Sequence, residues 1–243
     1  MTPHVGALTD AFDWYARGWR LFLLQPLMWV GLTLLFLVMA LVINLVPLIG
    51  GLAFALCLPA FAAGFLHAAD QAHRGNPILP MHLFKAFQVR ENLNALLMLG
   101  LIPLAASLAG AILIALLLGG ARGIGAITQS VEAAVGALVG GGLLLPLLSI
   151  GFFVLVVAAL IYAIPLVWFH QASAKDALMG SLDASVRNIL PLALFTAIYV
   201  VLSFIAAIPV GLGFLVLIPV VSGATYASYR QLWSDLVSDD GDD

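Results

Sequence analysis

Charged residues divide this chain into long apolar runs. None occurs between Arg20 and Asp70, between Glu91 and Arg122, between Glu132 and Lys175, or between Arg187 and Arg230. A helix crossing the hydrocarbon layer needs about 20 consecutive apolar residues. The first and last runs are roughly double that length and carry turn residues in the middle. These are Pro47, Gly50 and Gly51 in one, and Pro209, Gly211 and Gly213 in the other. Each of those two runs therefore reads as a pair of helices. The predicted spans are Pro26 to Leu45, Ile49 to Ala68, Leu93 to Leu118, Leu143 to Trp168, Leu190 to Ile208 and Phe214 to Tyr229.

The polar stretches between the runs carry a second pattern. Phe12 and Tyr15, Leu83 and Phe87, and Leu178 and Leu182 stand at helical intervals, each pair ahead of an arginine and a span. An apolar stripe beside water gains by lying in the membrane interface, while an arginine stem reaches back toward lipid phosphates. The expected fold is all-α: a polytopic transmembrane helical bundle of about six spans as three hairpins, each preceded by a cytoplasmic interfacial helix. The connection from Gly119 to Gly142 has Ile124, Ile127, Val131, Val135 and Leu138 at helical spacing. It reads either as a surface or re-entrant helix, with Gly136 and Gly140 allowing close approach, or as a glycine-rich loop.

Orientation follows from the cations. With the amino terminus inside, Arg17, Arg20, Arg74, Lys85, Arg90, Lys175, Arg187 and Arg230 are cytoplasmic, and of the nine lysines and arginines only Arg122 is outside. That asymmetry predicts both termini in the cytoplasm. Trp14, Trp19, Trp168 and Trp233 fall near the same interface and Trp29 just within it, the level an indole prefers.

Composition agrees. The chain is 63% hydrophobic and 9% charged, against about 25% charged in soluble domains. A net charge of -3 gives no pull toward nucleic acid. Cys57 is the single cysteine, reads as a small buried hydrophobe and excludes an intrachain disulfide. The first 20 residues contain Asp10 and Asp13 and run into a full-length span, so they read as a retained segment rather than a signal peptide. Residues 1–233 are expected to form one membrane domain, and 234–243 an acidic disordered tail.

An internal repeat is visible. Phe12 to Arg17 and Leu182 to Arg187 both run apolar residue, aspartate, three residues, arginine, and each is followed by a span. Pro26 and Pro191, Pro47 and Pro209, Pro59 and Pro219, and Gly64 and Gly223 occupy matching places. A weaker version begins at Leu83, which suggests parallel repeat units 8–70, 81–170 and 175–231. The run Gly18 to Phe22 with Pro26 and Trp29, the segment Ala177 to Asn188, and the ending Tyr226 to Arg230 resemble an uncharacterised family of bacterial six-helix inner-membrane proteins. More distantly, the layout is similar to the membrane domains attached to some glycerophosphodiester phosphodiesterases. The resemblance covers about Leu8 to Trp233. It implies a bacterial inner membrane and carries over no catalytic residue.

Little in the sequence marks chemistry. The predicted span interiors hold no Asp, Glu, Lys or Arg, which argues against proton coupling, voltage sensing or a charged filter. Their polar residues are Thr33, Asn44, Ser107, Ser149, Tyr162, Thr196, Tyr199, Ser203 and Ser222, types that ordinarily bond helices together. His67, Asp70 and His73, with His82 or His170 as a further ligand, form a loose metal-like spacing that matches no established zinc motif. No phosphate loop, nucleophile elbow or paired-cysteine motif occurs. Catalytic, cofactor and metal residues are therefore expected to be none. Arg17, Arg20, Arg90 and Arg187 are candidate lipid-phosphate contacts. The leading reading is a non-enzymatic scaffold or accessory protein whose partners are membrane lipids, another membrane protein or a second copy of itself. The alternative is a permease or flippase-like carrier of an uncharged or zwitterionic substrate. A membrane enzyme would rest on the His67 cluster alone.

Overall fold

The computed structural model describes residues 3–46, 49–117 and 144–234. The expectations for Pro47, for the connection 119–142, for the tail beyond Ser234, and for the side chains of Ser107 and Ser149 lie outside the described residues. Among the described residues all regular structure is helical. The first unit is α1 (Asp10–Leu24), α2 (Pro26–Asn44) and α3 (Ile49–His73). A 3-10 turn (Pro80–Phe84) and α4 (Lys85–Gln88) precede α5 (Arg90–Leu117). Then come α6 (Leu144–Leu160), α7 (Ala163–His170), α8 (Ala174–Arg187), α9 (Ile189–Ala207) and α10 (Phe214–Leu232).

Four of these are long and apolar enough to cross a membrane: α2, α3, α5 over Arg90–Gly110, and α9. The apolar stretch Val154–His170 is shorter. The second half of α10 turns polar from Ser222 to Gln231. In α2 only Trp29, Leu32 and Thr33 are buried, and in α9 only Pro191, Phe195 and Ala206. The remaining aliphatic faces point outward, an arrangement suited to hydrocarbon rather than water. The central helix is α3, with 44% of its apolar window buried against 17% in α2. It packs on α2, α5, α7, α10 and the 3-10 turn.

Both α1 and α8 form helices where the repeat predicts them. The middle segment is instead a 3-10 turn plus one α turn, stopped where Val89 becomes extended. The buried stripe of α1 is Ala11, Trp14, Tyr15, Gly18, Leu21 and Phe22, while Phe12 is exposed. The stripe is turned away from the expected Phe12 face because α1 packs on α10 and α9. Tyr15 stacks on Phe195 at 4.8 Å and donates to the Phe195 carbonyl at 3.0 Å. For the same reason Trp14 is buried, and Trp233 is buried where it meets Gly180 of α8. With Trp29 they are among the largest fully buried side chains.

The junctions after α1 and α8 share a device. Gln25 donates to the Asn76 carbonyl at 2.9 Å and accepts from the Ile78 N–H at 2.8 Å. Asn188 donates to the His4 carbonyl at 3.1 Å and accepts from the Gly6 N–H at 2.7 Å. Each carboxamide thus clamps a neighbouring non-helical segment between its own helix and the next.

The expected continuous span Leu143 to Trp168 is broken at Ile161 and Tyr162. Pro165 has no N–H for the Ile161 carbonyl and its ring crowds that group, so the ladder opens there. The Ser181 hydroxyl on α8 fills the gap. It accepts from the Tyr162 N–H at 3.1 Å and donates to the Ala158 carbonyl at 2.8 Å. Those two backbone groups would have bonded each other in an unbroken helix. Ser185 also donates to Ala158, at 3.0 Å.

Candidate functional site: a basic cleft between the first and last helices

The helices α1 and α10 cross with their backbones in contact. A Cβ at Gly18 would lie 2.6 Å from the Ala224 nitrogen, and one at Gly223 would lie 3.0 Å from the Gly18 Cα. Only residues without side chains permit this approach. Beyond the crossing the helices bound a cleft of about 620 Å³. Arg17 and Arg20 line it from α1, Arg230 and Gln231 from α10, and His73 from the end of α3. Arg17 and Arg20 are three apart and share a helix face.

The α10 wall is held in place. Arg230 donates to the Tyr226 hydroxyl at 3.3 Å, and its guanidinium carbon sits 5.9 Å from the centre of that ring. The Tyr226 hydroxyl in turn donates to Asp70 at 2.8 Å. Asp70 is buried and also receives the Arg74 Nε at 3.0 Å. Gln231 accepts from the Trp14 indole at 2.9 Å and donates to Asp10 at 2.6 Å. By contrast Arg17 and Arg20 are exposed and have no ion-pair partner among the described residues. Among the described residues, the cleft therefore combines one oriented guanidinium with two exposed ones, and no carboxylate lines it.

Of the four arginines singled out in the sequence, the fold brings two together and adds a third. Arg90 begins α5 and does not line the cleft, and Arg187 pairs with Asp183 at 2.9 Å on the exposed face of α8. Arg230, Tyr226 and Gln231 were not singled out as a site. The i, i+4 spacing of Tyr226 and Arg230 was visible, but their position opposite α1 was not.

The structure pulls the histidine constellation apart. His67 packs on His82 and Trp168, with ring centres at 4.9 and 5.5 Å. Asp70 and His73 turn toward Tyr226. Because α3 runs to His73, Asp70 is inside the helix and buried rather than beyond its end. Among the described residues, no three His, Cys, Asp or Glu side chains are grouped to hold a metal ion. His82 Nδ1 accepts from the Leu79 N–H at 3.3 Å. Burial, and secondarily Lys85, pushes its imidazole below the ordinary value.

A second cavity of about 600 Å³ lies deeper, between α3, α5, α6, α9 and α10. Its lining is mostly aliphatic, with Thr196, Tyr199, Ser222 and Thr225 on the α9 and α10 side. The Thr196 and Ser222 hydroxyls donate to carbonyls of their own helices at 2.9 and 2.8 Å.

Fold and cleft together define an all-helical protein with several helices able to cross a membrane and a basic pocket at the polar end of the bundle. No protein-family model, curated protein or solved structure matches the chain.

Proposed function

We propose that this chain is a six-span bacterial inner-membrane protein of the uncharacterised family it resembles, with both termini cytoplasmic. In this reading it is not an enzyme but a scaffold or accessory protein that binds anionic lipid headgroups. The carrying observation is the convergence of Arg17, Arg20 and Arg230 on one cleft that no carboxylate lines among the described residues. The cation asymmetry along the sequence assigns that end of the bundle to the cytoplasm. Basic pockets at this level attract lipid phosphates through charge-assisted hydrogen bonds.

The test is purification in mild detergent followed by mass spectrometry of the co-purified lipid. The wild type should be enriched in anionic phospholipid over the membrane average. The Arg17→Gln, Arg20→Gln, Arg230→Gln triple variant should lose that enrichment. Equal lipid profiles in the two proteins would refute the reading. Reporter fusions after Trp233 test the topology, and an active periplasmic alkaline phosphatase there would overturn it.

The deeper cavity favours a second reading, a carrier of an uncharged or zwitterionic substrate. Reconstituted protein should then move a fluorescent zwitterionic lipid between leaflets, and filling the cavity with Ala62→Phe should stop it. Failure of the wild type to do so removes the carrier.

A further inference from the structure

We infer that the basic cleft is matched to a lipid headgroup bearing two negative phosphate charges, and that it selects such lipids over singly charged and zwitterionic ones. The inference rests on the lipid-headgroup reading above. Among the described residues, three guanidiniums line the cleft and each carboxylate near its walls is engaged elsewhere or lies outside it. Asp70 is paired with Arg74 and accepts from Tyr226. Asp10 sits behind Gln231 and also accepts from the Ala7 N–H. Asp13, one turn before Arg17, is exposed on α1 and does not line the pocket.

A headgroup with one charge would leave two guanidiniums uncompensated inside a confined space. A headgroup with two would leave one, on an exposed side chain that water screens. A volume of about 620 Å³ is far larger than a single phosphate requires. It leaves room for a phosphomonoester with its glycerol or for two linked phosphodiesters. The geometry also separates the roles. Arg230 is held by the Tyr226 ring and hydroxyl and offers a fixed set of donors. Arg17 and Arg20, on exposed side chains three residues apart, can close on whichever phosphate oxygens remain.

The experiment titrates the full chain, in neutral detergent, with dioctanoyl phosphatidic acid, a short-chain bis-phosphate lipid, dioctanoyl phosphatidylglycerol and dioctanoyl phosphatidylcholine. Glycerol 3-phosphate and inorganic phosphate form the soluble arm, and native mass spectrometry counts bound ligand. The two doubly charged lipids should bind roughly fivefold to tenfold tighter than phosphatidylglycerol, the size of one additional charge contact at a membrane surface. The soluble phosphates should compete weakly. Arg17→Gln, an exposed change that leaves the core untouched, should remove the preference, and Arg187→Gln should keep it. Equal binding of singly and doubly charged lipids overturns the inference while leaving the lipid reading standing. Strong competition by soluble phosphate overturns the lipid source. No binding of any anionic lipid sinks both.

Discussion

The crossing of α1 and α10 gives the sharpest mutational prediction, Gly18→Ala. A Cβ there would lie 2.6 Å from the Ala224 nitrogen and nearer still to the Val220 carbonyl oxygen, whereas ordinary contact begins at 3.4 Å. Both obstacles are backbone atoms, so no side chain can swing aside. The helices must part by more than about 0.8 Å, and overpacking against backbone at two points falls at the upper end of the usual cost, about 2–3 kcal/mol. Alanine returns about 0.5–1 kcal/mol of helix preference over glycine. The net loss is about 1–2.5 kcal/mol, which in a chain of this length lowers Tm by about 2–10 °C. Thermal unfolding in mild detergent, followed by tryptophan emission, reads it directly because Trp14, Trp29 and Trp233 are fully buried. Gly31→Ala is the matched control. Nothing lies within 4 Å of a Cβ at Gly31, so there the propensity gain of about 0.5–1 kcal/mol stands alone and Tm should rise. Anionic-lipid binding should weaken in Gly18→Ala, because Arg17 and Arg20 move away from Arg230, and should be unchanged in Gly31→Ala. A Gly18→Ala protein as stable as the wild type would show that α1 and α10 do not meet at this point.

Other outcomes follow from single contacts. Ser181→Ala should destabilise by about 1–3 kcal/mol, because the Tyr162 N–H loses its partner at the helix break. Ser185→Ala should cost less, since Ala158 keeps its bond from Ser181; equal losses in the two variants would contradict the bridge. Tyr226→Phe should cost about 1.5–3 kcal/mol as a hydrogen bond to a carboxylate is lost, and should also weaken anionic-lipid binding by freeing Arg230. Unchanged lipid binding would show that Arg230 is not positioned by this hydroxyl. His82 is held below its ordinary value of 6.5, so the unfolded chain binds the proton more readily. Its contribution is complete above about pH 6.5 and is lost as pH falls through the lower folded value. Chemical unfolding from pH 7.5 to 5 should therefore show a steeper loss in wild type than in His82→Gln, and parallel curves would remove His82 from the account.

The positions of the apolar helices were legible in the sequence because hydropathy adds up residue by residue. A charge costs too much in hydrocarbon to stand mid-span, so the charge-free runs and their proline and glycine breaks mark the helices directly. The starts of α2, α3, α9 and α10 follow from that one-dimensional signal, and α1 and α8 from apolar residues at helical intervals in the charged stretches between the runs. The break at Ile161 and Tyr162 was less legible. Pro165 announces a weak point, but a proline alone can also be absorbed as a kink, as Pro59, Pro103 and Pro219 are within α3, α5 and α10. What stops the helix is Pro165 together with a hydroxyl from Ser181, nineteen residues on and in another helix. The site was hidden for the same reason. Arg17 and Arg20 look like Arg90 and Arg187 along the chain, since each is a cation ahead of a span. Only the meeting of Gly18 with Gly223 sets two of them beside Arg230 and buries Trp14 against Gln231, while Arg187 pairs with Asp183 one turn back on its own helix. In a bilayer, apolar side chains have no hydrophobic reason to prefer one helix face to another. Close backbone fit and a few hydrogen bonds select the pairing, and those depend on residues more than 180 positions apart, such as Gly6 and Asn188 or Trp14 and Gln231.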